Sequence, residues 1–216
     1  MKRRDFIRNI AISSGLFLLP ELLFSFAKKQ NPHLVIIGDS ELRYIEQFCK
    51  QNSITSCTAI GCRNEQLDNF GITINKNIEF DFSSVTVNHD EPLKNKLLLP
   101  QSIADIFKPN NKYLIISSLY RQNAILTNSI INLLDNNAID FRFFGSIPLL
   151  NPRIAPWATK LFSKFENNPR VKIYDVNVIG DKLRHESGEM LFTDALTKCD
   201  DRLVGELSGF YGEIVL

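Results

Sequence analysis

Short apolar runs alternate with amphipathic stretches along the chain from about residue 33 onward. Runs of about four to eight apolar residues that are bounded by turn residues are typical of buried β-strands. Such runs predict strands at 34–37, 57–60, 113–116 and 141–147, and one within 171–179. The first of these runs ends at Gly38, which marks a turn directly after the strand.

Apolar residues three and four positions apart predict helices between the strands and after the last one. These helices cover 41–50, 124–134, 156–165 and 191–211. In the last helix, one face would carry Leu196, Cys199, Leu203 and Leu207. Residues 64–111 are more polar, and their pattern indicates only an alternation around 78–87 and a helix-like patch at 103–107.

Strands that alternate with helices predict a three-layer α/β fold of the Rossmann type, in which helices cover both faces of a parallel sheet. In such folds, ligands bind in a crevice outside the carboxyl ends of the strands. We therefore expect four loops to surround one crevice. These loops are 38–43, 61–64, 117–123 and 148–153.

The amino terminus resembles a twin-arginine export signal. Arg3 and Arg4 are adjacent and are followed by Phe6, and a weakly apolar stretch then covers residues 10–19. That stretch is too short and too interrupted by polar residues for a convincing membrane span. The small-x-small sequence that ends at Ala27 predicts cleavage after that residue. An uncleaved amphipathic helix and a retained membrane anchor are the alternatives.

This signal divides the chain into an export segment, residues 1–27, and a single α/β domain, residues 28–216. The resemblance implies that the twin-arginine translocase is a partner during export. It also implies a final location in the periplasm or on the outer face of the cytoplasmic membrane. There, an unidentified protein or the membrane itself would be the partner.

Composition and charge exclude several classes of protein. Hydrophobic residues make up 44% of the chain and charged residues 23%, which is typical of a globular protein. The formal net charge of the chain is +1. Residues 1–27 hold four cations and two carboxylates, a net charge of +2, so residues 28–216 have a net charge of −1. No basic stripe is present for nucleic acid, so we expect no nucleic-acid partner.

The cysteines do not predict a metal site. They carry no CxxC spacing and lie near no useful histidine, so we expect neither a metal nor a cofactor. Four buried thiols are one interpretation, and a single disulfide formed after export is the other. The four residues are Cys49, Cys57, Cys62 and Cys199.

The sequence Gly38-Asp39-Ser40 follows the first predicted strand and resembles the turn that carries the nucleophile of SGNH esterases. A nucleophilic serine needs a histidine base, which that family supplies from a C-terminal Asp-x-x-His. The corresponding stretch here begins at Asp194 and has Thr197 where the base belongs. An esterase would therefore need another histidine. The chain offers His33, His89 and His185.

Taken in order, the predicted elements resemble the nucleotide-binding domain of FtsZ, the bacterial relative of tubulin. Residues 35–38 match its first strand and glycine-rich loop, and 113–118 match the strand before its GGGTGTG loop. Cys199-Asp200 matches an Ala-Asp pair in the long central helix. Three further segments correspond, namely 59–67 with Gln66 and Leu67 retained, 141–149, and 178–183.

The departures from that family concern the nucleotide site. Gly38 is the one glycine in the first loop, and the GGGTGTG loop falls on 121–127, which contains no glycine. Glycine is needed in such loops because a Cβ would occupy the space of the phosphates. Of the positions that contact the nucleotide in FtsZ, the resemblance retains Gly38 and Asp200. The chain reaches Leu216 without the loop and second domain that FtsZ uses in hydrolysis.

The sequence therefore predicts an exported, non-catalytic FtsZ-like domain, a pseudoenzyme that has lost its phosphate loops and acts as a binding or scaffold module. No residue is assigned a catalytic role in this interpretation. The alternatives are an SGNH-type hydrolase that uses Ser40, and a weak guanine-nucleotide binder without turnover that uses Asp200 and the crevice loops.

Overall fold

A computed structural model of the chain describes a parallel α/β sheet with helices on both faces. The described residues are 31–38, 42–86, 88, 91, 97–120, 122–147, 158, 160–176 and 192–215, with the side chains of 84 and 192–196 left out. The predicted export signal and the sequence Asp39-Ser40 lie outside them, and every described element belongs to the compact unit Asn31–Leu216.

Within the described residues, six strands form one sheet in the order β3-β2-β1-β4-β5-β6, and every neighbouring pair is parallel. The strands are β1 (His33–Ile37), β2 (Ser56–Ile60), β3 (Thr73–Ile78), β4 (Lys112–Ser118), β5 (Asp140–Ile147) and β6 (Val171–Asp175). The helices are α1 (Leu42–Gln51), α2 (Asn64–Leu67), α3 (Gln101–Ala104), α4 (Gln122–Asn136) and α5 (Phe192–Val215). Short 3-10 turns occupy Phe82–Ser84 and Ser163–Phe165, the second after helical residues 158 and 160–162.

Two hydrophobic layers hold the helices against the sheet. One layer packs α4, α3 and the helical segment around 158–165 against one face, and the other packs α1 and α5 against the opposite face. The strands of the centre are buried on both faces, which is why β1 and β4 are nearly continuous apolar runs. The three-layer α/β fold predicted from the sequence is therefore confirmed.

One detail differs from the sequence prediction. The sequence indicates only an alternation around 78–87, whereas the structure has strand β3 at Thr73–Ile78 and a 3-10 turn at Phe82–Ser84. The strand predicted within 171–179 is confirmed as β6, Val171–Asp175. In α5, Cys199, Leu203 and Leu207 are buried as predicted, while the side chain of Leu196 lies outside the described residues.

Candidate functional site

The order of the strands places a topological switch point between β1 and β4. From β1 the chain builds β2 and β3 on one side, and it then crosses back to place β4, β5 and β6 on the other. In folds with this strand order, ligands usually bind at the carboxyl ends of the two strands that flank the switch point. Of the predicted loops, 61–64 and the described parts of 38–43 and 117–123 follow strands at this edge, and 148–153 lies outside the described residues.

Gly38 lies at the switch point, directly after the end of β1. Its φ of +74° lies in the left-handed region that favours glycine. Its N–H donates to the Ile60 carbonyl at 2.9 Å, and its carbonyl accepts a bond from the Cys62 thiol at 3.1 Å. The N–H of Gly61, which ends β2, donates in the same way to the Ile78 carbonyl at 2.8 Å. Both backbone N–H groups therefore donate to neighbouring strands, whereas in a phosphate-binding loop such groups donate to the ligand.

Asn123 fills the space directly above Gly38. It lies in the first turn of α4, where its N–H donates to the Tyr120 carbonyl at 3.0 Å. A Cβ built on Gly38 would come within 2.2 Å of Asn123 Nδ2 and 2.9 Å of its Cγ. The side-chain amide is therefore packed against the Gly38 backbone, and a methyl group at residue 38 would displace it.

Buried hydroxyl groups lie below Asn123 at the end of β4. The Thr127 hydroxyl donates to Ser117 Oγ at 3.0 Å, and Ser117 Oγ lies 3.4 Å from the Ile37 carbonyl oxygen. Ser118 is 2% exposed, and its Oγ has no hydrogen-bond partner among the described residues. An unsatisfied buried hydroxyl costs free energy, so Ser118 is an unexplained polar group beside the crevice.

Asp200 is engaged by a residue that the sequence did not single out. Arg43 Nη2, in the first turn of α1, lies 2.5 Å from Asp200 Oδ2 on α5. The Asp200 side chain is 18% exposed and that of Arg43 is 70% exposed. Burial raises the pKa of Asp200 above its ordinary value, and the Arg43 guanidinium partly opposes that rise. The carboxylate that the resemblance assigns to guanine is thus held by the protein's own cation.

Among the described residues, no histidine lies close enough to Gly38 to act as the base of an esterase. His33 begins β1, so roughly 16 Å of extended strand separates it from Gly38. Its ring lies 5.7 Å from that of Tyr113. Thr197 is exposed on α5. Ser40, His89 and His185 lie outside the described residues.

All four cysteines are buried thiols. Burial raises the pKa of Cys49 and of Cys57 to about 12, and for Cys49 the nearby Cys57 and Glu46 add to the rise. In the part of the chain that the structure describes, metal-ligating side chains do not gather in groups of three or more. None of the described helices has the length and apolar character that crossing a bilayer requires.

Comparison with known proteins leaves the site to be interpreted from its own geometry. No protein-family model matches the chain, and no curated protein matches it significantly.

Arg43 and Asn123 fall within the predicted loops 38–43 and 117–123, but no role is predicted for either residue. Asn123 could have been found, because it lies in the first helical turn after a switch-point strand. No local sequence signal connects Arg43 to Asp200, since the two residues meet only through the packing of α1 on α5.

Proposed function

We propose that this chain is an exported, non-catalytic relative of the FtsZ nucleotide-binding domain that acts by binding a protein or membrane partner. The observation that carries this proposal is the packing of the Asn123 amide against Gly38. A phosphate-binding loop needs open space and free backbone donors at this position. Here the space holds a side chain, and the N–H of Gly38 donates to Ile60.

The order of the elements supports descent from an FtsZ-like domain. The segments that resemble its first strand, second strand, phosphate-loop strand, following strand and central helix fall on β1, β2, β4, β5 and α5 in that order. The sheet places the first and third of these segments, β1 and β4, side by side at the switch point. The resemblance therefore expects the nucleotide at this switch point, where the Asn123 amide packs against Gly38.

The export part of the proposal depends on residues 1–27. Adjacent Arg3 and Arg4, the following Phe6 and the small-x-small site at Ala27 form the motif. A chain that is exported to the periplasm reaches a compartment without a supply of GTP. Export and the loss of the phosphate loops are therefore mutually consistent.

Turnover assays test the non-catalytic claim. The full chain is incubated with GTP and magnesium and the release of phosphate is followed, and the same preparation is offered a panel of fluorogenic esters. The proposal predicts background rates in both assays. GTP turnover that is abolished by Asp200→Asn, at unchanged stability, would overturn it.

A second candidate, an SGNH-type hydrolase, is favoured by one observation. The Asn123 amide lies at the end of β1, just where the loop toward Ser40 begins, and side-chain amides of this kind stabilise oxyanions in acyl transfer. His33 is too distant to serve as base, so this candidate depends on His185 or His89. Ester hydrolysis that is lost in both Ser40→Ala and His185→Gln, but retained in His33→Gln, would favour the hydrolase over the binding module.

A further inference from the structure

A second cavity, of about 230 Å³, lies at the amino edge of the sheet, and we call it the amino-edge cavity. It is bordered by the first residues of β1 and β2 and by the turn between α1 and β2. Its described lining consists of residues 31–34 and 53–58, together with Asn75 and Tyr211. The cavity is therefore separated from the switch point by the length of the strands.

Ser53 borders this cavity in a strained backbone conformation. Its φ of +55° lies in the left-handed region that favours glycine. The Ile54 N–H donates to the Cys49 carbonyl at 3.0 Å, which places Ser53 at the position after a helix end where glycine is usual. A serine here costs strain but keeps a hydroxyl group at the cavity, and strained residues of this kind cluster at ligand sites.

Asn75 reaches the cavity through a β-bulge. Cys57 pairs with Ile74 and Thr58 pairs with Lys76, so Asn75 is the extra residue of β3. Bulges are rare between parallel strands, and they are frequent at sheet edges and next to active sites, where they re-aim a side chain. Two backbone irregularities, the bulge at Asn75 and the left-handed Ser53, thus meet at one cavity.

The polar side chains around the cavity are available to a ligand. The hydrogen bonds of the described residues leave the hydroxyl groups of Ser53, Ser56 and Thr58 and the side-chain amide of Asn75 without a partner. Each of these groups can both donate and accept. Tyr211 is 8% exposed and packs edge-on against Phe48, with 5.6 Å between the ring centres, so it adds a rigid aromatic surface.

We infer that the amino-edge cavity binds an uncharged sugar, one ring at a time, through Ser53, Thr58 and Asn75. Groups that both donate and accept suit the hydroxyl groups of a sugar, which do the same. The volume lies below the roughly 300–1,000 Å³ of sites for drug-sized ligands, which favours a single ring. This inference goes beyond the proposed function and does not depend on the state of the switch point.

An NMR titration of the full chain with glucose, galactose and mannose tests the inference. At least one of these hexoses should give saturable shifts of the Ser53, Thr58 and Asn75 signals, with a millimolar dissociation constant. The control ligand is tetrahydropyran-2-methanol, which keeps the ring and one hydroxymethyl group but lacks the other hydroxyl groups. It should give no saturable shift over the same concentrations.

The variants Asn75→Ala and Ser53→Gly test the contacts, and both positions are exposed. Each should weaken binding of the hexose by about fivefold, as expected for one lost hydrogen bond. Ser53→Gly should not lower the denaturant midpoint of unfolding, because glycine relieves the strain at a positive φ. Loss of binding without loss of stability separates a ligand contact from a structural role.

Ala138→Gly is the matched control, because Ala138 is also a non-glycine residue with a positive φ, +52°, and it does not line the cavity. It should relieve strain in the same way and leave sugar binding unchanged. Weakening by Ala138→Gly equal to that by Ser53→Gly would overturn the inference.

Three further results would overturn it. They are no saturable shift with any hexose, saturable shifts of equal size with the control ligand, and shifts that map to Gly38 and Asn123 instead of the amino edge. Failure of the proposed function is a separate result, because GTP turnover concerns the opposite edge of the sheet. Turnover with intact sugar binding would refute the proposed function alone, and an inert switch point without sugar binding would refute this inference alone.

Discussion

The side-chain amide of Asn123 and the backbone of Gly38 are in direct contact across the switch point of the sheet, with Nδ2 only 2.2 Å from the position that a Cβ on residue 38 would take. One residue comes from the end of β1 and the other from the first turn of α4. Their contact lies at the place where an α/β sheet of this order usually holds its ligand.

This contact predicts a coupling between the two positions. Gly38→Ala should lower the free energy of unfolding by about 1–3 kcal/mol, because φ is +74° and the new methyl group meets Asn123. In an Asn123→Ala background, the same change should cost at least about 0.5 kcal/mol less, since the clash is gone and only the backbone strain remains. Denaturant unfolding of the four proteins measures this coupling, and strictly additive effects would contradict the contact.

The Arg43–Asp200 pair predicts a pKa change of known direction. Burial raises the pKa of Asp200 and Arg43 opposes the rise, so Arg43→Gln should raise that pKa further. Because the folded state then binds the proton more tightly than the unfolded chain, the contribution of Asp200 to the free energy of unfolding falls as pH rises through its pKa. A carbon-detected NMR titration of the carboxyl group measures it.

Lys76→Gln is the matched control for this titration, because Lys76 is an exposed cation on the distant β3 edge. It should leave the Asp200 titration unchanged. A fall of the Asp200 pKa in Arg43→Gln would show that the guanidinium is not its partner in solution.

The buried thiols of Cys49 and Cys57 should react slowly with thiol reagents in the folded protein. With pKa values of about 12, roughly one in ten thousand of the Cys49 and Cys57 side chains is a thiolate at pH 8. Both should therefore resist a thiol-specific reagent in the native protein and react promptly in guanidinium chloride. Peptide mapping after labelling identifies the residues, and prompt modification of either one in the folded chain would count against this burial.

Export predicts a dependence on the paired arginines. Fractionation of bacteria that produce the full chain should find it outside the cytoplasm, and Arg3→Lys/Arg4→Lys should leave it inside with an uncleaved amino terminus. Lys2→Arg, which leaves the pair intact, is the control. Equal distribution of all three proteins would remove the export part of the proposal.

The sequence predicted the central strands because they are buried on both faces and appear as unbroken apolar runs, as in β1 and β4. It missed β3 for the opposite reason. Thr73–Ile78 is an edge strand in which exposed polar residues alternate with few apolar ones, so its pattern resembles a loop.

The candidate site divides in the same way. The position of the switch point follows from the strand-helix alternation, and Gly38 marks it in the sequence. That Asn123 would pack on Gly38, and that Arg43 would hold Asp200, depends on how α4 and α1 pack against the sheet and against α5. Contacts between residues so far apart in the chain have no local sequence signature.

Isothermal calorimetry of the full chain with GTP and with GDP, in the presence of magnesium, measures whether a guanine nucleotide binds at the switch point. We expect no saturable heat with either nucleotide, in the wild type or in Asp200→Asn. Micromolar binding that Asp200→Asn weakens would contradict this expectation, because a guanine nucleotide would then occupy the space that we assign to Asn123.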